Sequence, residues 1–170
     1  MTNLQNINTS EQSLGEVKYY STRVVIKGLN EEGNLWYNLC NTCKSKVFII
    51  NGIAKYSKCS KDNPEYSLRY LIKLRVEDIS AIAIFTVFDN EVEKLIGMPV
   101  TNLEKIKASN IEDYNDIIIN ISDKKMIFSV NVQDKQYENQ TFRSITVQSI
   151  KEGSDEVIEI EPKRIKLEEL

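Results

Sequence analysis

Residues 68–88 carry the pattern that most restricts the fold of this chain. In residues 68–77 apolar side chains alternate with a second set that includes three cations, which predicts a strand with one buried and one solvent face. A turn at residues 78–80 leads to residues 81–88, AIAIFTVF, which are apolar on both faces. Such a strand is either covered on both faces or binds something. The predicted buried set is Tyr70, Ile72, Leu74 and Val76, and the cations are Arg69, Lys73 and Arg75.

The other segments place this pair of strands within a barrel. Residues 17–27 are rich in Tyr, Thr and Val, and residues 126–133 and 141–150 predict two further strands joined by a polar loop. One helix is predicted after Asp89 and Asn90, ending at Gly97 and stopped by Pro99, and a second from a capping box at residues 109–112. Five strands with a helix between the third and fourth predict an all-β-dominated, five-stranded OB-fold barrel.

The predicted domain organisation has three parts. Residues 1–15 are expected to be a flexible lead-in, and residues 151–170 a charged tail. The OB-fold domain occupies residues 16–150, with a zinc-ribbon-like insertion at residues 36–63 between strands 1 and 2. The tail contains Lys163, Arg164 and Lys166, a weak candidate for nuclear localisation.

Composition removes several functional classes. The chain has no histidine, so Ser-His and Cys-His nucleophile pairs are excluded, and there is no glycine-rich phosphate loop. Composition does not exclude an enzyme, but the commonest catalytic groups are missing, and a zinc-dependent enzyme would need an open coordination site that the cysteine cluster does not suggest. We expect no enzymatic activity and no small-molecule substrate. The opening residues lack the basic flank and apolar stretch of a secretory signal, and no apolar run approaches the roughly 18 residues of a membrane span. A chain that is neither secreted nor membrane-bound is expected.

Charge is distributed unevenly along the chain. The net charge is −3, but residues 40–75 hold eight basic and two acidic residues, a local charge of +6. A positive block of this kind attracts polyanions, while acidic groups elsewhere maintain solubility. The alternative is a solvated, lysine-rich hairpin that binds no ligand.

The three cysteines form part of a familiar metal-binding pattern. Cys40 and Cys43 make a Cys-x-x-Cys knuckle, which presents two thiolates on one tight turn, and Cys59 begins a second knuckle in which Asp62 stands at the fourth position. A carboxylate can ligate zinc, so three thiolates and one carboxylate form a candidate Zn²⁺ site. The alternative is a metal-free ribbon stabilised by packing of Trp36, Tyr37, Val47, Phe48, Ile49 and Tyr56.

A groove for single-stranded nucleic acid needs cations for phosphates and exposed aromatic rings for bases. On an OB-fold the ligand crosses strands 2 and 3 between the 1–2 and 4–5 loops. Strand 2 supplies Lys73 and Arg75, and Tyr137 is a lone aromatic residue in the polar 4–5 loop. Phe85 and Phe88 lie on opposite faces of strand 3, and either alone is explained by core packing.

Taken together, the segments resemble a known family. Four segments resemble the C-terminal DNA-binding domain of the replication protein A large subunit. They are the run from Trp36 through Cys40 and Cys43 to Val47, the run from Tyr56 to Cys59, the pair Arg69-Tyr70, and VEDISAIAIFTVFDNEVEKLIG at residues 76–97. Short plant and transposon-associated relatives of that domain look closer still. The similarity covers residues 14–150.

The resemblance implies an OB barrel with an inserted zinc ribbon and single-stranded DNA binding without enzymatic activity. It assigns Cys40, Cys43 and Cys59 to zinc, with Asp62 replacing the fourth cysteine, and it assigns base stacking to Phe88 and Tyr137. The cations expected to contact DNA are Lys44, Lys46, Arg69, Lys73 and Arg75. It further implies replication, repair or recombination as the process, the nucleus as the location, and other replication protein A-like subunits as partners.

A second hypothesis comes from another functional class. The acidic second half and the altered knuckle favour a degenerate OB-fold retained as a protein-interaction or complex-assembly module, without DNA binding.

Overall fold

The computed structural model describes residues 1–30, 34–50, 53–55 and 65–152, and all structural statements below refer to these residues. The remaining predictions, those for Cys59, Asp62 and the tail beyond Glu152, lie outside them. The elements in chain order are α1 (Leu4–Thr9), β1 (Val17–Leu29), β2 (Trp36–Cys40), β3 (Lys46–Ile50), β4 (Ile53–Lys55), β5 (Tyr66–Glu77), β6 (Ile82–Phe88), α2 (Asp89–Ile96), α3 (Val100–Ser109), α4 (Ile111–Ile119), β7 (Lys125–Tyr137) and β8 (Gln140–Glu152).

Five of the strands close into a ring. The sheet order runs β1-β7-β8-β6-β5, and β1 also pairs with β5, which joins the two ends of the row. All of these pairings are antiparallel except β6 with β8, which are parallel and meet at Thr86 and Thr146. This is the predicted barrel topology, with a helical segment between the third and fourth barrel strands, and the prediction is confirmed at this level.

The alternation in β5 and β6 determines which side chains fill the barrel. The inner face of β5 is buried as predicted, and Phe85 on β6 packs edge-to-face against Phe128 on β7, with ring centroids 5.4 Å apart. The opposite faces of both strands are left at the surface. The buried residues of the two strands are Tyr70, Ile72, Leu74, Val76, Ala83, Phe85 and Val87.

An arm of three strands, β2–β4, is inserted between β1 and β5. β2 pairs with the first half of β5, and β3 pairs with β2 and β4. A small hydrophobic cluster of Cys40 and Val47, with Cys43 against it, is separate from the barrel core. Trp36, the first residue of β2, packs against the barrel core, edge-to-face with Tyr114 of α4, and is not part of this small cluster.

The first residues, expected to be a flexible lead-in, include the helix α1. Asn3 caps it by accepting a hydrogen bond from the amide of Asn6, and Leu4 and Ile7 are completely buried in the barrel core. Residues three positions apart lie on the same face of a helix, so Leu4 and Ile7 enter the barrel core together. The helix was not predicted, because residues 1–13 are mostly polar and its two apolar residues gave no clear helical pattern.

Three helices, rather than the two predicted, connect β6 to β7. α2 ends at Gly97, whose φ of 92° is the predicted left-handed cap. α3 was missed because Pro99 was interpreted as a stop; instead Pro99 is its N-cap residue, where the missing amide costs nothing. α4 begins one residue later than predicted, with Asn110 rather than Ser109 accepting a hydrogen bond from the amide of Asp113. Among the described residues, no helix has the length and apolar character needed to cross a bilayer.

Candidate nucleic-acid interface

The outer face of the β5–β6 hairpin brings cations and an aromatic ring together. Arg75 lies opposite Ile84, Lys73 opposite Thr86, and Leu71 opposite Phe88, and directly opposite side chains share one face of an antiparallel pair. Lys73 and Arg75 are exposed, and neither has a described carboxylate within salt-bridge distance. Two cations are therefore available on this face.

Phe88 is the last residue of β6 and also the N-cap position of α2. Its side chain is 45% exposed, unlike Phe85, which is fully buried on the other face. Because β6 on one side and α2 on the other fix its backbone, the ring is held at the surface in a defined place. Of the two phenylalanines considered from the sequence, only Phe88 is open to a ligand.

Arg69 differs from the other two cations of β5. Its Nε lies 3.6 Å from Oδ2 of Asp89, and its Nη1 donates to the carbonyl oxygen of Leu68 at 3.3 Å. Asp89 belongs to the first turn of α2, where a carboxylate is favoured by the helix dipole. Arg69 is thus partly neutralised, and its attraction for a phosphate is weaker than that of Lys73 or Arg75.

The turn between β2 and β3 carries two more of the predicted cations. Lys44 has a φ of 62°, in the left-handed region, and its side chain is exposed. Lys46 is exposed too, and its Nζ lies 5.4 Å from the ring centroid of Phe48. Phe48, which sequence reasoning considered only as packing in the arm, is at the surface; its position two residues after Lys46 on a strand is the signal that places both on one face.

The same turn holds Cys40 and Cys43 in a compact conformation. The amide of Cys43 donates to Sγ of Cys40 at 3.5 Å, the amide of Lys44 donates to the Cys40 carbonyl oxygen at 3.0 Å, and the amide of Cys40 donates to the Ser45 carbonyl oxygen at 2.8 Å. Both cysteines therefore belong to one tight turn, in which Cys40 is buried and Cys43 is half-buried. The turn fits half of a tetrahedral zinc site; within the described ranges, no group of three or more metal-binding side chains occurs.

Tyr137 is not in a loop but at the end of a strand. β7 and β8 extend to a two-residue turn at Glu138 and Asn139, both with positive φ, which is the geometry of a tight type I′ hairpin. Tyr137 is 69% exposed. The long polar stretch predicted as a loop is instead paired across the hairpin, because a two-residue turn keeps the two strands in register up to Tyr137 and Gln140.

The structure therefore divides the predicted nucleic-acid residues among three places. Lys73, Arg75 and Phe88 share the outer face of β5–β6, with Arg69 at its edge. Lys44 and Lys46 lie on the arm, and Tyr137 lies at the tip of the β7–β8 hairpin.

Comparison with known proteins relates this architecture to one family. Residues 19–159 match the family described as "Replication factor-A C terminal domain". A 70 kDa DNA-binding subunit of replication protein A from Arabidopsis thaliana is 28% identical over 147 residues, which cover 84% of this chain and 24% of that protein. The corresponding protein from Xenopus tropicalis is 26% identical over 158 residues, which cover 85% of this chain and 26% of that protein. The chain thus spans about a quarter of the length of such relatives.

Solved structures agree on the fold. A replication protein A heterotrimer bound to single-stranded DNA contains a chain with a TM-score of 0.75 and 18% identity, covering 87% of this chain and 35% of that one. A structure of yeast replication protein A bound to single-stranded DNA gives a TM-score of 0.71 at 21% identity, covering 89% of this chain and 84% of that one.

These relatives are named as DNA-binding subunits of replication protein A, not as enzymes, in agreement with the expectation that the chain is not an enzyme. The closed ring, the inserted arm and the sequence match over most of the chain agree, and the chain belongs to the replication factor-A C-terminal domain family.

Proposed function

We propose that this protein binds single-stranded DNA with little sequence preference, in replication, repair or recombination. The observation that carries the proposal is the outer face of β5–β6, where Lys73 is the diagonal neighbour of the exposed Phe88 and Arg75 lies one step farther along the same face. Cations held on a strand can follow a phosphate backbone, and a ring at the strand end can stack any base, because every base has a π-face.

Each residue has a proposed role in this complex. Lys73 and Arg75 contact phosphates on the floor of the groove, Lys44 and Lys46 do so from the arm, and Arg69 contributes less because of Asp89. Phe88 and Tyr137 stack bases, each stack being worth about 1–3 kcal/mol. The barrel domain proposed to bind DNA is residues 16–150.

We further propose that the arm binds zinc through Cys40, Cys43, Cys59 and Asp62. The support is the turn at residues 40–45, which presents two sulfur atoms together and directs an amide at one of them. The metal would supply a structural cross-link between the two halves of the arm. Elemental analysis of the purified protein tests this directly, and Cys43→Ser is expected to abolish the bound zinc.

The family relationship also suggests cellular context. We infer that the protein acts in the nucleus and associates with other subunits of the replication protein A type, as the heterotrimer among the structural matches does. Co-purification of tagged protein from nuclear extract with such subunits is the expected result.

The salt dependence of oligonucleotide binding tests the phosphate contacts. Fluorescence anisotropy with labelled oligo-dT should give log affinity falling linearly with log salt concentration, with a slope of about −0.7 for each phosphate neutralised. Combining Lys73→Gln with Arg75→Gln should reduce the slope by about 1.4. The matched control is Lys105→Gln on the exposed surface of α3, which should leave the slope unchanged.

The aromatic residues are tested separately. Phe88→Ala combined with Tyr137→Ala should weaken oligo-dT binding by about 2–6 kcal/mol and leave the circular dichroism spectrum and melting temperature nearly unchanged. Tyr19→Ala removes an equally exposed ring from β1, two strands away from β8, and should not affect binding. A folded double variant with wild-type affinity contradicts the stacking roles.

The alternative function, a protein-interaction module, would be favoured if the wild-type protein does not bind oligo-dT at low salt but binds a protein partner tightly.

A further inference from the structure

We propose that Asp89 limits the affinity of the DNA-binding face, because it holds Arg69 in an internal ion pair that a DNA phosphate has to replace. Arg69 then exchanges one anionic partner for another when single-stranded DNA binds. This inference rests on the proposed function. It gives a part in that function to a carboxylate that was considered from the sequence only as the start of a helix.

Arg69 belongs to the same row of side chains as Lys73 and Arg75. Residues 69, 71, 73 and 75 of β5 point to one face, because side chains alternate between the two faces of a strand. Leu71 lies opposite Phe88, so Arg69 lies one step beyond the aromatic ring, on the side away from Lys73. That step is about 6.6 Å along the strand. A base stacked on Phe88 would therefore bring a phosphate near Arg69.

Asp89 is held in place from two sides. Its Oδ2 lies 3.6 Å from Nε of Arg69, and its Oδ1 accepts a hydrogen bond from the amide of Tyr70 at 3.4 Å. It is the first residue of α2, directly after Phe88, where the helix dipole favours a negative charge. An anion is thus fixed next to the ring that is proposed to stack a base.

The ion pair lines a groove that is negatively charged as a whole. The groove has a volume of about 590 Å³ and lies between the start of β5 and the starts of α2 and α3. The charged residues that line it in the described part of the chain are Arg69, Asp89 and Glu93, one cation and two carboxylates. A phosphate in this groove is therefore repelled unless Arg69 turns toward it, whereas removing the charge of Asp89 would make the groove neutral.

The ion pair is weak enough to exchange. The side chains of Arg69 and Asp89 are 40% and 39% exposed, so water and salt screen their attraction. The separation of 3.6 Å is too long for a hydrogen bond, whereas a guanidinium can bind a phosphate through two parallel hydrogen bonds. A phosphate can displace the carboxylate, but the unpaired charge of Asp89 then remains beside the DNA. Binding consequently gains less than it would from an unpaired arginine.

Oligo-dT binding by the intact chain, measured by fluorescence anisotropy over a series of salt concentrations, tests this role. Asp89→Asn removes the charge but keeps the size of the side chain and an oxygen for the Tyr70 amide. It should strengthen binding by about 2- to 10-fold at low salt and make the salt slope steeper by about 0.7, as one more neutralised phosphate would. Asp89→Ser should act in the same direction.

The matched control is Glu104→Gln on the exposed surface of α3, which changes the net charge by the same amount and should leave affinity and slope unchanged. Circular dichroism verifies the fold of each variant.

A double-mutant cycle distinguishes the ion pair from simple repulsion by Asp89. Arg69→Gln alone should weaken binding by less than about 2-fold, because Asp89 already occupies the guanidinium. In the Asp89→Asn background the same substitution should weaken binding by about 2- to 10-fold, which removes the gain.

The inference is overturned if folded Asp89→Asn binds no more tightly than the wild type, or if its gain persists undiminished when Arg69 is replaced. Wild-type binding that Asp89→Asn leaves unchanged would leave the proposed function standing. If neither the wild type nor Asp89→Asn binds oligo-dT at low salt, the proposed function fails, and this inference fails with it.

Discussion

Asp78 illustrates what one side chain can stabilise at the end of a small barrel. Its Oδ1 accepts hydrogen bonds from the amides of Ser80 and Ala81 at 2.7 Å and 3.1 Å, and its Oδ2 accepts one from the amide of Leu4 at 2.8 Å. The same carboxylate therefore closes the β5–β6 turn and attaches α1 to it. Burial would raise its pKa, but the hydrogen bonds from Ser80, Leu4 and Ala81 outweigh that effect, so the pKa of Asp78 lies below its usual value.

The residue-scale prediction concerns stability and its dependence on pH. Asp78→Ala should lower the free energy of unfolding by about 2–3 kcal/mol at pH 7, because it leaves partly buried amides without acceptors. Because the folded pKa is depressed, this contribution is fully present above the unfolded pKa and is lost as pH falls through the folded pKa. Urea unfolding at neutral and acidic pH should show the wild type approaching the variant in acid.

The control for that measurement is Asp116→Ala on the exposed surface of α4, which should change stability by less than about 0.5 kcal/mol. A constant difference between wild type and Asp78→Ala across the acidic range would contradict a role for the charged carboxylate.

At the scale of an element, α1 is short and polar in sequence but is an integral part of the barrel. Besides its two buried residues, Asn8 donates to the carbonyl oxygen of Ile82 at 3.0 Å, and Arg143 binds the carbonyl oxygens at its end. The helix thus lies between the starts of β6 and β8. Six residues would not form a stable helix alone in water, so its stability comes from these contacts.

The element-scale prediction follows from that dependence. Ile7→Ala should cost about 2–4 kcal/mol, as expected for truncating a fully buried aliphatic side chain. Leu14→Ala, which truncates an exposed leucine in the same N-terminal segment, should cost less than about 0.5 kcal/mol. Thermal and urea unfolding measure both, and equal effects would show that α1 is not docked as described.

At the scale of the whole molecule, the described residues form two hydrophobic clusters of unequal size. The barrel core includes residues from all five ring strands and the four helices, whereas the described part of the arm has a cluster of Cys40 and Val47 with Cys43. So small a cluster contributes little hydrophobic stabilisation to the described part of the arm. Zinc bound at the proposed site would add to the local stability of the arm.

Zinc removal should therefore act locally. With a chelator, amide hydrogen exchange at the β2–β3 turn should accelerate by about tenfold or more, while exchange in β7 and β8 stays unchanged. Cys43→Ser should reproduce the chelated state without further response to chelator. Unchanged exchange at residues 40–46, with no zinc by elemental analysis, would show that the arm is stabilised without metal.

The order of the strands and helices predicted the barrel, and local alternation of side chains predicted which face of β5 is buried. Period-two alternation in β5 defines a buried face, and inverting that face would place Arg69, Lys73 and Arg75 in the core, at a prohibitive desolvation cost. That is why the inner residues of β5 and the open position of Lys73 and Arg75 could be inferred in advance. The outward position of Phe88 could not be inferred from alternation, because both faces of β6 are apolar. Packing in the folded barrel determines which of the two faces is buried.

Features that depend on distant partners became visible only in the folded chain. The helix α1 forms because Leu4 and Ile7 are buried in the barrel core, and α3 follows Pro99 because Val100 and Leu103 pack against that core. Arg69 forms an ion pair because α2 begins at Asp89. Local patterns fix which face of a strand is buried, but the neighbours of an exposed side chain depend on contacts between segments far apart in the chain.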